Sequence, residues 1–319
     1  MQIRSSGSRH IVGSIVGSIV GAGLGLVLTA CTAPPARPVA PPVTAAAPAS
    51  AAALPPDAPE PTPFLAEQHQ VDPVVAARAA AERQARAMAE RWHLDRLPAA
   101  APPPPGQRPV LAAGQPGVTL RDGLPPVVRR VPTEDRVVFL TIDDGAEKDP
   151  EFARMTAELG IRYSTFLSGY LARSDWGYFR GLTADGRATA GNHTLNHRDM
   201  RKLTAAEQRA EICGQQDEID RETGSRPPLF RPPYGEYTDD TLRAAKECGI
   251  RAVPLWNEEA FPDRMEYRQA DRVLHPGDII LTHFRGPGEW NGTMTDMLRL
   301  VLRTVEQQGF TLALLDDYL

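Results

Sequence analysis

Seven residues of four types, at short fixed spacings, hold most of the chemistry this sequence can do: Asp143, Asp144, His193, His197, Arg231, Tyr234 and His283. Asp143 and Asp144 follow a β-branched run, and adjacent carboxylates that project differently can divide labour between holding a metal and taking a proton. Alone, Asp143-Asp144-Gly145 is a turn signal in which glycine supplies positive φ. His193-Thr-Leu-Asn-His197 sets two imidazoles four residues apart, on one side of a helical turn or a tight loop, a spacing used for metals. Adding Asp144 gives two nitrogens and one oxygen, a set that suits Zn²⁺ (or Co²⁺ or another divalent ion) with one position open for water. In Phe230-Arg-Pro-Pro-Tyr-Gly235 the prolines fix φ, so the backbone at Tyr234 is held as a preorganised oxyanion donor requires. Standing alone, that segment is a surface turn with a capping arginine. His283 ends the apolar run Ile280-Leu-Thr, where it is either a satisfied core histidine or, on a rim shared with a metal, a general acid.

These residues need a scaffold that brings distant segments to one rim. Strand-like runs at 136–142, 161–167, 228–231, 250–256, 278–283 and 310–315 alternate with helix signals at 149–160, 176–184, 204–224, 238–247 and 294–308. Regular alternation of this kind implies a parallel sheet with helices outside. Six or seven strands in under 200 residues point to a small barrel rather than the eight-fold form. In parallel α/β barrels the loops at the C-terminal strand ends build the active site, and the chemical residues fall at those ends.

The rest of the chain reads as an address and a spacer. Arg4 and Arg9 precede an uncharged run from Ile11 to Ala30 that ends Leu28-Thr29-Ala30-Cys31, the pattern of a secretory signal. An uncleaved membrane anchor or ordinary secretion are the other readings, and all three export the remainder. Of 31 prolines, 21 lie between Thr32 and Pro126, a composition that cannot bury enough apolar surface to offset ordering entropy. A helix signal at 72–97, with Asp72 as N-cap and Pro73 in the first turn, interrupts that stretch. The division is therefore 1–30 signal, 31–126 spacer and 127–319 catalytic domain. A net charge of −5 argues against a nucleic-acid partner.

Taken together the motifs resemble those of the polysaccharide deacetylases, the NodB-homology or family 4 carbohydrate esterases. Thr141-Ile-Asp-Asp-Gly145, His193-Thr-Leu-Asn-His197, Arg231-Pro-Pro-Tyr234 and Leu281-Thr-His283 match four of the family's motifs in order and spacing. The resemblance implies a distorted (β/α)7-type barrel and a metal-dependent hydrolase. It assigns Asp143 as base, Asp144, His193 and His197 as metal ligands, and Arg231 as the group orienting the base. The Tyr234 amide becomes the oxyanion donor, His283 the acid, and Trp256 a wall of the acetyl pocket. Two departures stand out: the fourth motif is Leu255-Trp-Asn-Glu-Glu259, leaving Asp263, Glu258 and Glu259 as candidates for the acid partnering the arginine, and Ala146-Glu147 replaces the usual proline.

Leu28-Thr-Ala-Cys31 resembles a bacterial lipoprotein lipobox, which implies acylation of Cys31 and tethering to the outer side of the cell membrane. Cys213 and Cys248 then remain, as a disulfide permitted outside the cell or as two buried thiols. The expected substrate is an N-acetylated envelope glycan, peptidoglycan first. Chitin oligomers or O-acetyl xylan are the enzymatic alternatives, and a glycan-binding lipoprotein that has lost turnover is the alternative of another class.

Overall fold

The computed structural model of the protein describes residues 72–319; the signal, Cys31 and the spacer up to residue 71 lie outside the described residues. In chain order the elements begin with α1 (Pro73–Arg91), β1 (Val118–Thr119), β2 (Val127–Val128), β3 (Val137–Asp144) and α2 (Pro150–Glu158). Next come β4 (Tyr163–Leu167), α3 (Gly169–Ala172), α4 (Trp176–Thr183), β5 (Ala188–Asn192), α5 (Ala205–Thr223) and α6 (Asp239–Glu247). Then follow β6 (Val253–Pro254), β7 (Glu258–Ala260), β8 (Met265–Tyr267), β9 (Ile279–His283), α7 (Met294–Gln307) and β10 (Thr311–Leu312).

β3 is the axis. All eight of its residues are buried, the mark of a parallel strand covered on both faces. It runs parallel to β4 and β9, and its first two residues pair with β10. The sheet order is β5-β4-β3-β9-β7-β8, with β8 antiparallel at the edge. Beyond β5, isolated parallel bridges from Asn192 to Phe230 and from Leu229 to Ala252 carry the pairing toward β6, which lies parallel to β2. The result is a distorted α/β barrel in which short ladders replace some staves.

Local chemistry sets the helix starts. Asp149 accepts from the Glu151 N–H ahead of α2, and Thr204 with Glu207 forms a complete capping box at α5. α5 stops at Gly224, whose φ of 74° is readily open only to glycine. A disulfide joins Cys213 in α5 to Cys248 at the end of α6, with Cα atoms 5.0 Å apart.

The structure differs from expectation in three places. Pro228–Arg231 forms only single bridges, because the prolines at 227, 228, 232 and 233 remove the donors a ladder needs. Of the run 250–256 only β6 is strand, and the β7–β8 hairpin was not foreseen. Finally, the helix expected inside the spacer docks on the domain. Ala89, Trp92 and Leu94 are buried in the main core cluster, and the Trp92 indole donates to Glu158 Oε2 at 2.9 Å. Residues expected to be spacer thus belong to the folded unit. Among the described residues no helix is long and apolar enough to cross a membrane.

Candidate active site

β3 delivers both carboxylates at its C-terminal end, and the backbone makes them diverge. Asp144 sits at φ 76°, so the two side chains leave in different directions. Asp143 Oδ1 accepts from Arg231 Nη1 at 2.7 Å, both groups fully buried. Asp144 Oδ1 instead faces His193 Nε2 at 3.7 Å and His197 Nε2 at 3.3 Å. Of the six non-glycine residues with positive φ among the described residues, four lie here: Asp144, Thr194, His197 and Tyr234. Such conformations each cost of order 1–3 kcal/mol and persist where the surroundings over-determine them.

Those surroundings are hydrogen bonds into the loop after β5. Asn192 Oδ1 accepts from Thr194 N–H at 2.9 Å while its Nδ2 donates to Ile212 O and Gln216 Oε1. Ser168 Oγ donates to His193 O at 2.8 Å, and Thr194 Oγ1 accepts from His197 N–H at 3.0 Å. Sequence reasoning missed Ser168, Asn192 and Thr194, although a buried-type polar residue immediately before the first histidine was a usable signal.

The histidines are prepared as ligands. His193 Nδ1 lies 2.6 Å from Arg231 O, which can only accept, so Nδ1 carries the proton and Nε2 keeps its lone pair. Burial pushes the His193 pKa down to about 4, only partly offset by Asp144 and the Arg231 carbonyl. Burial also lowers His197. For Asp144, burial works upward, but His193, His283, His197 and Arg285 together hold its carboxyl below the usual range. Asp144 Oδ1 is buried with no hydrogen-bond partner. One ligand atom from each of Asp144, His193 and His197 lies within 4.8 Å of the others. Three potential ligand atoms converging on one point, with Asp144 Oδ1 unpartnered and His193 Nε2 keeping its lone pair, suit a divalent metal.

Arg231 is wholly buried, donating through Nε to Pro254 O at 3.0 Å and stacking 4.3 Å above the Phe166 ring. Burial lowers its pKa against the pull of Asp143. Conversely, burial raises Asp143, with Arg231 and His283 opposing. None of Asp263, Glu258 and Glu259 bonds to Arg231. Asp263 pairs with Arg264 at the surface, and Glu258 sits near Asp278 and Arg130. Glu259 Oε1 lies 3.7 Å from His283 Nδ1. The fourth-motif acid therefore faces the candidate proton donor rather than the arginine.

His283 pairs in register with Asp143 across β3 and β9, and burial lowers its pKa while Asp143 and Asp144 oppose. Tyr234, at φ 61° in a short turn, packs its ring edge against His197 at 4.8 Å. The Trp256 indole closes on that turn, since a side chain at Gly235 would meet it at 2.9 Å. Arg285, unmarked in the sequence, brings Nη2 within 3.4 Å of Asp144 Oδ2. An open cavity of about 500 Å³ adjoins the ligands, lined by His197, Arg198, Asp199, Lys202, Leu203 and Tyr234.

The family pattern described as polysaccharide deacetylase matches residues 130–253. That stretch holds Asp143 to Tyr234 and ends before Trp256 and His283. An uncharacterised protein of Streptomyces coelicolor is 43% identical over 211 residues, 65% of this chain and 84% of its own. The peptidoglycan-N-acetylmuramic acid deacetylase PdaA of Bacillus subtilis is 24% identical over 197 residues, covering 58% of this chain and 72% of the relative. Among solved structures, a wild-type CE4-family pseudoenzyme from Bacillus anthracis aligns with TM-score 0.51 and 21% identity, over 60% of this chain and 68% of that one. This last likeness speaks to the fold alone.

Proposed function

Because the chain belongs to the polysaccharide deacetylase family, we propose that it is a metal-dependent hydrolase removing N-acetyl groups from an envelope polysaccharide, with peptidoglycan as its substrate. One observation carries this reading. Ligand atoms of Asp144, His193 and His197, the first two residues buried, converge beside a second carboxylate, Asp143, whose Oδ1 is pinned by an arginine.

The roles follow from the atoms. Asp144, His193 and His197 would hold a divalent ion, which when bound supplies Lewis acidity to the acetyl carbonyl and acidifies water. Arg231 fixes Asp143 Oδ1, leaving Oδ2 to take a proton from the attacking water. The rigid turn sets the Tyr234 N–H as donor to the oxygen where negative charge develops. His283 gives a proton to the departing amine nitrogen, with Glu259 facing its other ring nitrogen to orient it. Water adds to the acyl carbon and the C–N bond breaks, yielding acetate and a free amine. Amide and ester cleavage need the same groups, so O-acetyl xylan and chitin oligomers belong among the substrates tested.

The reading includes a place of action. Export with acylation at Cys31 would tether the domain outside the membrane, within reach of the wall. The sequence Leu28-Thr-Ala-Cys31 and the Cys213–Cys248 disulfide, which needs an oxidising compartment, support it.

The test strips metal with a chelator, restores Zn²⁺ or Co²⁺, and measures acetate released from peptidoglycan, N-acetylglucosamine oligomers and acetylated xylan. Metal-restored release, greatest from peptidoglycan, is expected. A folded, metal-loaded chain releasing no acetate from any of the three would replace this reading with that of a glycan-binding protein.

A further inference from the structure

Two aromatic side chains among the described residues stand out as exposed, Tyr170 at 50% and Tyr234 at 63%; the Tyr234 ring packs on His197, and the Tyr170 backbone bonds to the loop between the two histidines. Tyr234 is accounted for by its turn and its packing on His197. Tyr170 is not. It belongs to α3, directly after the C-terminal end of β4, and no core cluster includes it.

Its backbone is nevertheless tied to both ligand-bearing segments by hydrogen bonds. The Gly169 N–H donates to Thr194 O at 3.1 Å and the Tyr170 N–H to Leu195 O at 2.8 Å, inside the loop that carries both histidines. One residue earlier, the Ser168 N–H donates to Asp144 O at 3.0 Å. The Tyr170 backbone is thus held between the two segments that supply the metal ligands while half of the residue stays exposed. Burial, then the charges of Asp144 and Tyr234, raise its hydroxyl pKa, with Arg285 opposing, which puts the phenol in the same electrostatic field as the site. The chain packs closely here: a Cβ at Gly169 would lie 2.6 Å from Gln215 Oε1 and 3.2 Å from Leu195 O.

A fixed, solvent-facing aromatic ring beside a catalytic centre is a surface for a flat apolar face carrying polar edges. A pyranose ring has that shape: C–H bonds on its face and hydroxyls at its rim. Arg285 and Glu289, paired through Nε and Oε2 at 3.2 Å and both partly exposed, supply a donor and an acceptor near the same spot. We propose that Tyr170 forms a sugar subsite next to the position of the reacting residue, stacking on a neighbouring pyranose so that the protein takes a glycan chain rather than a single acetylated sugar. The proposal rests on the deacetylase reading for which sugar reacts, and on Tyr170 alone for chain binding.

The experiment compares the full-length wild type with Tyr170→Ala and Tyr170→Phe. Kinetics are measured on N-acetylglucosamine oligomers of increasing length and on p-nitrophenyl acetate, which fills only the reacting position. Binding of the oligomers is measured by calorimetry in parallel. Tyr170→Ala should raise KM for the longer oligomers roughly three- to tenfold, the range of one aromatic contact, leaving kcat and the small ester unchanged. Tyr170→Phe should retain wild-type KM, because the ring and not the hydroxyl does the stacking. Equal losses on the oligomers and the small ester would overturn the subsite in favour of a structural role, as would an unchanged KM. If the wild type binds oligomers but releases no acetate, the deacetylase reading falls and calorimetry decides the subsite. Weaker binding by Tyr170→Ala supports it, and equal binding or no wild-type binding at all overturns it.

Discussion

Asp143 and Asp278 are both buried aspartates held by an arginine at 2.7 Å, and they occupy opposite ends of two neighbouring parallel strands. Asp143 lies at the C-terminal end of β3, whereas Asp278 immediately precedes β9. Their partners differ. Asp278 Oδ1 accepts from Arg130 Nε and from Asn257 Nδ2 at 2.9 Å, and Oδ2 accepts from the His275 N–H at 2.7 Å. Asp143 Oδ1 has Arg231, and its Oδ2 faces only His193 Nε2 at 3.7 Å. Buried atoms without a partner surround both, Arg231 Nη2 and Asp144 Oδ1 at one end and Arg130 Nη2, His275 Nδ1 and the Glu258 oxygens at the other, so the difference lies in the two aspartates themselves. A carboxylate whose bonding capacity is filled staples the fold. One held on a single side keeps an oxygen for a proton, and the barrel places that one where its loops open.

The widest separation between the two should come from Asp143→Asn. The amide oxygen still accepts from Arg231, so the fold survives, but the group can no longer take a proton from water. Acetate release per folded molecule should drop by 10²- to 10⁴-fold, the usual contribution of a positioned acid or base, while loss of the counter-ion of buried Arg231 costs up to about 3–5 kcal/mol of stability, softened by the amide oxygen that still accepts from it. Retention of more than a tenth of the wild-type rate would move the base elsewhere. The unpartnered oxygen would then be an accident of packing.

Asp278→Ala should do the reverse. It strands the donors of Asn257 and His275 and leaves the Arg130 guanidinium, mostly buried, without its counter-ion. Removing one member of a buried pair costs about 3–5 kcal/mol, which denaturant unfolding will register directly. Activity per folded molecule should stay within a factor of about two, since nothing at that end touches the reacting groups. A selective loss of rate at unchanged stability would erase the distinction between the two pairs.

How much of this contrast was legible in the sequence follows from which contacts are local. Asp143, Asp144, His193, His197, Arg231 and His283 stood out because each closes an apolar run or repeats at a ligand spacing, and the barrel turns such positions into one rim. Glu259 was one of three open candidates for the arginine's partner: whether an acid reaches the arginine or the histidine depends on the β7–β9 register, which no short pattern encodes. Arg285 and Tyr170 carry no motif, and their place comes from chain paths through the loops after β9 and β4. The Asp278 staple was hidden for the same reason, its arginine lying 148 residues earlier. Helix starts were readable from caps, whereas the broken strand at 228–231 needed the four surrounding prolines to be weighed against the apolar run. The docking of α1 rests on Trp92, one aromatic at the end of an alanine- and arginine-rich helix, and its contact with Glu158 is likewise non-local.

The smallest effect sharpens the comparison through pH. Glu258 lies at the structural end, and burial, followed by repulsion from Asp278, lifts its pKa from 4.5 to about 9 with Arg130 opposing. Its raised value means that the folded chain holds a proton the unfolded chain has already released throughout that window. Stability from this group is therefore complete below the unfolded value of 4.5 and is lost as pH rises toward 9. The slope for one proton is at most about 1.4 kcal/mol per pH unit. Glu258→Gln fixes the neutral state, so its unfolding free energy should fall less steeply than that of the wild type between pH 6 and 8. The difference between the two curves isolates this residue from the titrating groups around the metal ligands. Parallel curves would mean that Glu258 is ionised in the folded protein. The structural end would then carry a second buried carboxylate charge beside Asp278, and the full pairing of Asp278 could no longer by itself be what sets that end apart from the rim around Asp143.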